Sequence, residues 1–241
     1  MEVETATTDV SAALSALAHQ YETIAHNLAN ANTVGFKRRL SAAGASASEL
    51  AATGTAPLTA VSDFVDFSQG RLVPTGRSLD VALSGKGFLV METDQGERYT
   101  RNGTFQTNAR GQLVDTQGRS VAGGGGPLMI PPTVSPMQVT IAEDGRVLAA
   151  GAEIGKLRIV EFEDPTVLRP VGDSAFEAPE TAGPRPATET TVHQRFQEGS
   201  NVEAVGELVA LIQVTRLYEA NVKIAQAASD RGEDLMRVAM A

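Results

Sequence analysis

Three histidines, His19, His26 and His193, are the first candidates for metal ligation in this chain. His19 and His26 stand seven residues apart on one helical stripe, and neither has a ligating residue four positions further on. Such a pair could hold a metal only with donors from elsewhere, so both read as solvated or interfacial helix positions. Cysteine is absent, which excludes disulfides, thiolate metal sites and cysteine nucleophiles. No G-x-S-x-G stretch marks a hydrolase serine. Asp63, Asp66 and Asp80 form a loose carboxylate group. A glycosidase needs two carboxylates flanking the scissile bond, but sugar-stacking rings are scarce, with three Tyr and no Trp. The three aspartates therefore read as surface charges. Gly85-Lys86 is followed by Gly87 and not by Ser or Thr, so no phosphate-binding loop is written there. The run Gly123–Gly126 reads as a loose connector. Asn102-Gly103-Thr104 fits a glycosylation acceptor and, more simply, a tight hairpin turn. The expectation is no catalytic, metal or cofactor site.

What the chain does carry is a pair of long helical seams. Val10, Leu14, Leu17, Tyr21, Ile24 and Leu28 recur at spacings of 4, 3, 4, 3 and 4. That is the heptad pattern of a helix lying along a partner helix. Leu211, Val214, Tyr218, Ala225, Ala228 and Leu235 keep a similar period near the other end. The polar face of the first helix carries Thr, Ser, Gln, Glu and His, whereas a membrane-surface helix wants Lys and Arg there. Packing on partner helices is the better reading.

Composition narrows the classes further. The chain has 241 residues, a net charge of −9 and 42% hydrophobic residues. A balance this acidic lacks the positive field that nucleic acid requires. Lys37, Arg38 and Arg39 form a local basic run, read as a solvated helix end. No apolar run approaches the length of a membrane span. The opening Met1-Glu2-Val3-Glu4 has neither the basic nor the apolar region of a Sec-type signal.

The first helix is predicted from about Asp9, as N-cap, to Asn30, closing over Asn30–Gly35. Residues 41–62, small and polar, read as a flexible connector with one short helix. From Phe64 onward, turn signals recur every 8–12 residues, as in an antiparallel β-domain. Strands are predicted at Asp80–Leu83, Gly87–Met91, Arg98–Thr100, Gln112–Val114, Val139–Ile141, Val147–Ala149 and Leu157–Phe162, with an exposed loop over 178–189. The last helix should start after Gly199-Ser200-Asn201, capped by Ser200 or Asn201. The fold class is thus α+β. Residues 1–36 and 199–241 would form a discontinuous, coiled-coil-like helical domain, with a connector over 37–67 and an inserted, mainly antiparallel β-domain over 68–198.

Three stretches resemble the bacterial flagellar rod and hook family. Ile24-Ala25-His26-Asn27-Leu28-Ala29-Asn30, Thr33 and Gly35-Phe36-Lys37 match its N-terminal signature, with His26 standing where the family has Asn. Gln69-Gly70, Leu79–Leu83, Gly87–Val90, Tyr99–Gly103 and Gly111–Val114 are similar to its β-domain opening. Gly199–Glu203 and Leu217–Asn221 resemble its C-terminal motif. Gly124–Pro131 is most similar to proximal rod members, with the distal rod members the alternative.

The resemblance implies a structural, non-enzymatic subunit of the basal-body rod crossing the periplasm. It implies export by the flagellar type III apparatus, and partners that are copies of the chain and other rod and hook proteins. Neither nucleic acid nor membrane insertion is expected. The implied assembly residues are Leu14, Leu17, Tyr21, Ile24, Asn27, Leu28, Asn30, Gly35 and Phe36, with Leu208, Leu211, Tyr218 and Val222 on the last helix. Asn27, Asn30 and Gly35 would shape the helix exit. The helices would order on assembly, because isolated helices are marginal in water. A secreted glycan-binding β-domain and a wall hydrolase are the competing classes, each requiring a cleft with convergent polar groups.

Overall fold

A computed structural model describes residues 2–44 and 60–239 of the chain. Two helices stand at its ends, α1 (Glu2–Ala29) and α2 (Ala204–Ala239), and strands fill the sequence between them. The chain divides into two compact units. One contains residues 1–29, 39–66 and 203–241; the other contains 30–38 and 67–202. The fold is α+β, with antiparallel pairing throughout the described sheets.

In the helical unit, α1 begins seven residues before the expected Asp9 cap. No Gly or Pro interrupts residues 2–29, so nothing stops the helix at Asp9. The side chains of seam positions Val10, Ala228 and Leu235 lie outside the described set. The expected connector holds a β-hairpin. Arg39–Gly44 pairs antiparallel with Ala60–Val65, in a register that sets Leu40 opposite Phe64. The apolar run Val61, Phe64, Val65 suits a strand better than a linker. The short helix expected in that stretch would fall on residues 45–59, outside the described residues. The hairpin is tied to α1 by Asn27, whose Nδ2 donates to the Arg39 carbonyl at 2.7 Å while its Oδ1 accepts the Arg39 N–H at 2.8 Å. His19 Nε2 lies 2.7 Å from Asp63 Oδ1.

The β-unit is built on the strand Phe88–Thr93. It pairs with Gly96–Thr100 on one side, and with Ser120–Gly123 and Ile159–Glu161 on the other. Outward from Gly96–Thr100 come Ala175–Glu177 and then Arg169–Gly172. Beyond Ser120–Gly123 come Leu113–Val114 and Gln106–Thr107. A three-stranded sheet is formed by Val139–Ile141, Arg146–Ala149 and Ala152–Lys156. Two pairings join stretches remote in sequence: Thr191–Gln194 with Val81–Ser84, and Phe196–Glu198 with Leu72–Pro74. The core is aliphatic and includes Leu83, Leu89, Met91, Leu113, Val121 and Val147, with Phe105 fully buried. A separate ring cluster gathers Phe67, Phe88, Tyr99, Phe162 and Phe176 edge to face or tilted.

Three local expectations are corrected here. Gly123–Gly126 is the turn of a hairpin, with Pro127 opposite Ala122, and not a loose connector. Asn102-Gly103 is not a hairpin turn. Gly103 crosses against Val81, its carbonyl accepting the Val81 N–H at 2.9 Å. A Cβ on Gly103 would lie 2.0 Å from the Val81 carbonyl oxygen, so the glycine serves close backbone approach. The stretch 178–189 includes a short pairing of Arg185–Pro186 with Ile159–Glu161.

Candidate functional site

In the helical unit, α1 and α2 pack on one another. Ile24 and Val214 are buried there, and Leu14, Leu17, Leu28, Leu211 and Val222 are partly covered. Tyr21, Leu208 and Tyr218 remain exposed. So do Val205, Val209 and Ile212, the first of them 71% accessible. At 100° per residue, Val205, Leu208, Val209 and Ile212 form one stripe on the side of α2 away from Val214. Leu217 and Ile224 add a further exposed apolar pair seven residues apart. The first half of α2 is therefore apolar on opposite sides, and among the described residues only one side is covered. A helix apolar on two sides is suited to a larger packing.

The exit from α1 lies in the β-unit. Asn30 closes the end, its carbonyl accepting the Thr33 N–H at 3.0 Å and its Oδ1 accepting the Thr33 hydroxyl at 3.1 Å. Gly35 follows at φ +67°. A Cβ there would sit 2.5 Å from the Asn102 amide nitrogen, so both the backbone angle and the space require glycine. Gly35 N–H donates to the Glu198 carbonyl at 2.7 Å, and Phe36 is buried beside it. Asn27, Gly35 and Phe36 are thus covered by their own chain.

Lys37 reaches furthest inward. Its Nζ donates to Glu198 Oε1 at 2.6 Å and to the Ser68 carbonyl at 2.7 Å, and neither charged side chain is exposed. Glu198 Oε1 also accepts the Gly70 N–H at 3.0 Å. Arg101 Nη1 stands 3.7 Å from Glu198 Oε2. The Arg101 guanidinium lies over the Phe88 ring, 5.3 Å from its centroid, and donates to the Gly85 carbonyl. Burial pulls the Arg101 guanidinium below its ordinary value, opposed by Glu198 and then Glu161. Arg38 N–H donates to Asn201 Oδ1 at 2.7 Å, and Asn201 Nδ2 donates to the Ser68 hydroxyl at 3.0 Å.

These contacts correct several readings of the sequence. Lys37 is not part of a solvated helix end; its partner lies 161 residues away, beyond the reach of any local pattern. Asp80 is buried, not a surface charge, and accepts from Gln197 Nε2 at 3.1 Å. Ser200 and Asn201 do not cap α2, which starts at Ala204. Asn201 is spent on Arg38 and Ser68, and Ser200 Oγ accepts the Val202 N–H. Glu198 and Arg101 were not singled out in the sequence. The apolar residues at 205, 208, 209 and 212 carry the only local signal of the bare stripe, an i, i+3, i+4, i+7 recurrence. Among the described residues no group of three His, Asp or Glu converges as a metal site, and no helix is long and apolar enough to cross a membrane.

A helix pair drawn from both parts of the chain, with a β-unit inserted between, places the molecule among α+β proteins with a discontinuous helical unit. Three family models match in chain order: the flagella basal body rod protein over residues 10–37, the flagellar hook protein FlgE/F/G D1 domain over 82–149, and the flagellar basal body rod FlgEFG protein C-terminal region over 193–238. The chain belongs to this family of flagellar basal-body rod and hook proteins. It is 35% identical to the flagellar basal-body rod protein FlgF of Caulobacter vibrioides, across 86% of each chain. It is also 35% identical to FlgF of Escherichia coli, across 90% of this chain and 91% of that one. Identity to the rod protein FlgG of Agrobacterium fabrum is 33%, across 87% of this chain and 89% of that one.

Proposed function

We propose that the chain is a structural subunit of the flagellar basal-body rod, placed in the proximal rod and serving no catalytic role. It assembles through α1 and α2 with copies of itself and with other rod and hook proteins, after export by the flagellar type III apparatus. Residues 1–29, 39–66 and 203–241 act as the axial helical part and 30–38 with 67–202 as the β-rich domain, in place of the expected bounds 1–36, 37–67, 68–198 and 199–241. Leu14, Leu17, Tyr21 and Leu28 on α1, and Leu208, Leu211, Tyr218 and Val222 on α2, supply the packing faces. Asn27, Asn30, Gly35 and Phe36 shape the exit that presents them. Heterologous, non-closing contacts between such faces generate a helical tube.

The observation that carries this reading is the bare apolar stripe of α2 opposite Val214. It also supplies the test. Ile212 is 54% exposed, so Ile212→Asp should leave the isolated chain folded. In an assembled rod the same aspartate would be buried without a partner. Cells carrying the variant should be non-motile, with the subunit missing from purified hook–basal bodies. Incorporation at parental copy number, with normal swimming, would overturn the assembly face. A distal rod position is the second reading, since relatives from both branches align over comparable lengths. Copy number against a hook subunit separates the two, with few copies for the proximal rod and many more for the distal.

A further inference from the structure

Three stretches of chain lead out of the β-unit: residues 30–38 toward α1 and the hairpin, 67–70 toward the other hairpin strand, and 198–202 toward α2. All three meet at the Glu198 carboxylate. Lys37 comes from the first, Gly70 from the second, and Glu198 itself from the third. Arg38 bonds Asn201, and Asn201 bonds Ser68, closing a second ring around the same point. Gly199 N–H donates to the Arg71 carbonyl at 2.8 Å. Gly70 and Gly199 touch so closely that a Cβ on Gly70 would fall 1.9 Å from the Gly199 oxygen. Every atom in these bonds belongs to the β-unit.

We propose that this knot is a clasp that closes when the β-unit folds, independently of the pairing of α1 with α2. Glu198 pairs in register with Leu72, and Arg101 is seated on the Phe88 ring, so the sheet itself holds the carboxylate and one cation in place. Undocking residues 30–38 would take Lys37 from a carboxylate withdrawn from water, which strongly favours the closed form. The helix pair is held by contacts of its own, Ile24 and Val214 among the buried ones, and isolated helices are marginal. The clasp therefore keeps the three exits ordered while the helices still open and close. Under the assembly reading, a subunit then arrives with its exits already fixed; that consequence rests on the reading, whereas the clasp does not.

Hydrogen exchange on the unassembled full chain tests it. The reporters are the amides of Gly35, Arg38, Gly70 and Gly199, with the strand Phe88–Thr93 as reference. Ile24→Ala loosens the helix seam and should speed exchange in α1 while leaving the four reporters unchanged. Lys37→Met should do the reverse, speeding the reporters by at least about tenfold, the scale of losing a charge-assisted bond, with α1 unmoved and Phe88–Thr93 shifted by no more than the overall loss of β-unit stability. The clasp is refuted if the reporters accelerate together with α1 in Ile24→Ala. It is equally refuted if Lys37→Met leaves them as slow as in the parent chain.

Discussion

Replacing Glu198 by Gln keeps the shape of the side chain and deletes the one negative charge shared by two buried cations. Lys37 Nζ, at 2.6 Å, loses its counter-ion, and Arg101 Nη1, at 3.7 Å, loses its nearer carboxylate. Breaking a buried pair by neutralising one partner typically costs about 3–5 kcal/mol. The Gln oxygen can still accept from Gly70 or Lys37, so the loss should fall near the lower end, about 3–4 kcal/mol. Lys37→Met should be milder. Glu198 keeps Gly70 and Arg101, and the Ser68 carbonyl keeps Asn201 Nδ2 at 3.2 Å. A cost of about 1–2 kcal/mol is expected there. Adding Lys37→Met to Glu198→Gln removes a buried cation that no longer faces the Glu198 carboxylate, so the double variant should be more stable than the sum of the single losses. Urea unfolding of the β-unit, followed by circular dichroism in the strand region and by tyrosine fluorescence, measures all three. The charge argument is refuted if Glu198→Gln stays within about 1 kcal/mol of the parent, or if Lys37→Met proves the more damaging change.

Three further outcomes are expected. Gly103→Ala should lower the melting temperature of the β-unit by a loss of about 2–3 kcal/mol, because its Cβ would overlap the Val81 carbonyl 2.0 Å away; an unchanged melt would mean the crossing can open at no cost. Tyr99 ionisation is pushed up to about 12, first by burial and then by its bond to the Glu97 carboxylate. The folded chain holds that proton longer than the unfolded chain, so this stabilisation is intact below about pH 10 and lost as pH rises toward about 12. Ultraviolet titration at the phenolate band should show one tyrosine ionising late, and the late phase should vanish in Tyr99→Phe. Asn27→Ala removes both bonds to the Arg39 backbone and should cost about 1–3 kcal/mol, with faster exchange at the Arg39 amide as its local sign.

The helices were legible in the sequence because their signal is local and periodic. Leu14 through Leu28 repeat every three or four residues, and no breaker interrupts them. Strands flanked by turn glycines, such as Phe88–Thr93 between Gly87 and Gly96, were legible for the same reason. Thr191–Gln194 and Phe196–Glu198 were not, because each completes a pairing with a strand more than 100 residues earlier. The clasp was least visible. Gly35 marked a backbone need that could be read from the sequence, but Lys37 sat in a basic run that resembles a solvated surface, and burial of a charge is decided by a remote partner. The stripe over residues 205–212 was written plainly in the helical period, yet only the fold shows which of the two apolar sides of α2 is left bare.

The near contact of Gly70 with Gly199 also bears on how such a chain can change over evolution. The two ends of a stretch of about 130 residues arrive side by side, like the two pins of a plug. Chain termini that close are the condition under which a domain can be inserted, enlarged or exchanged with little disturbance to its host. Everything from Arg71 to Glu198 could be lengthened by a loop, trimmed by a hairpin or traded for another β-cassette. The chain on either side would leave from the same two points, provided the replacement again offered a carboxylate where Glu198 now stands.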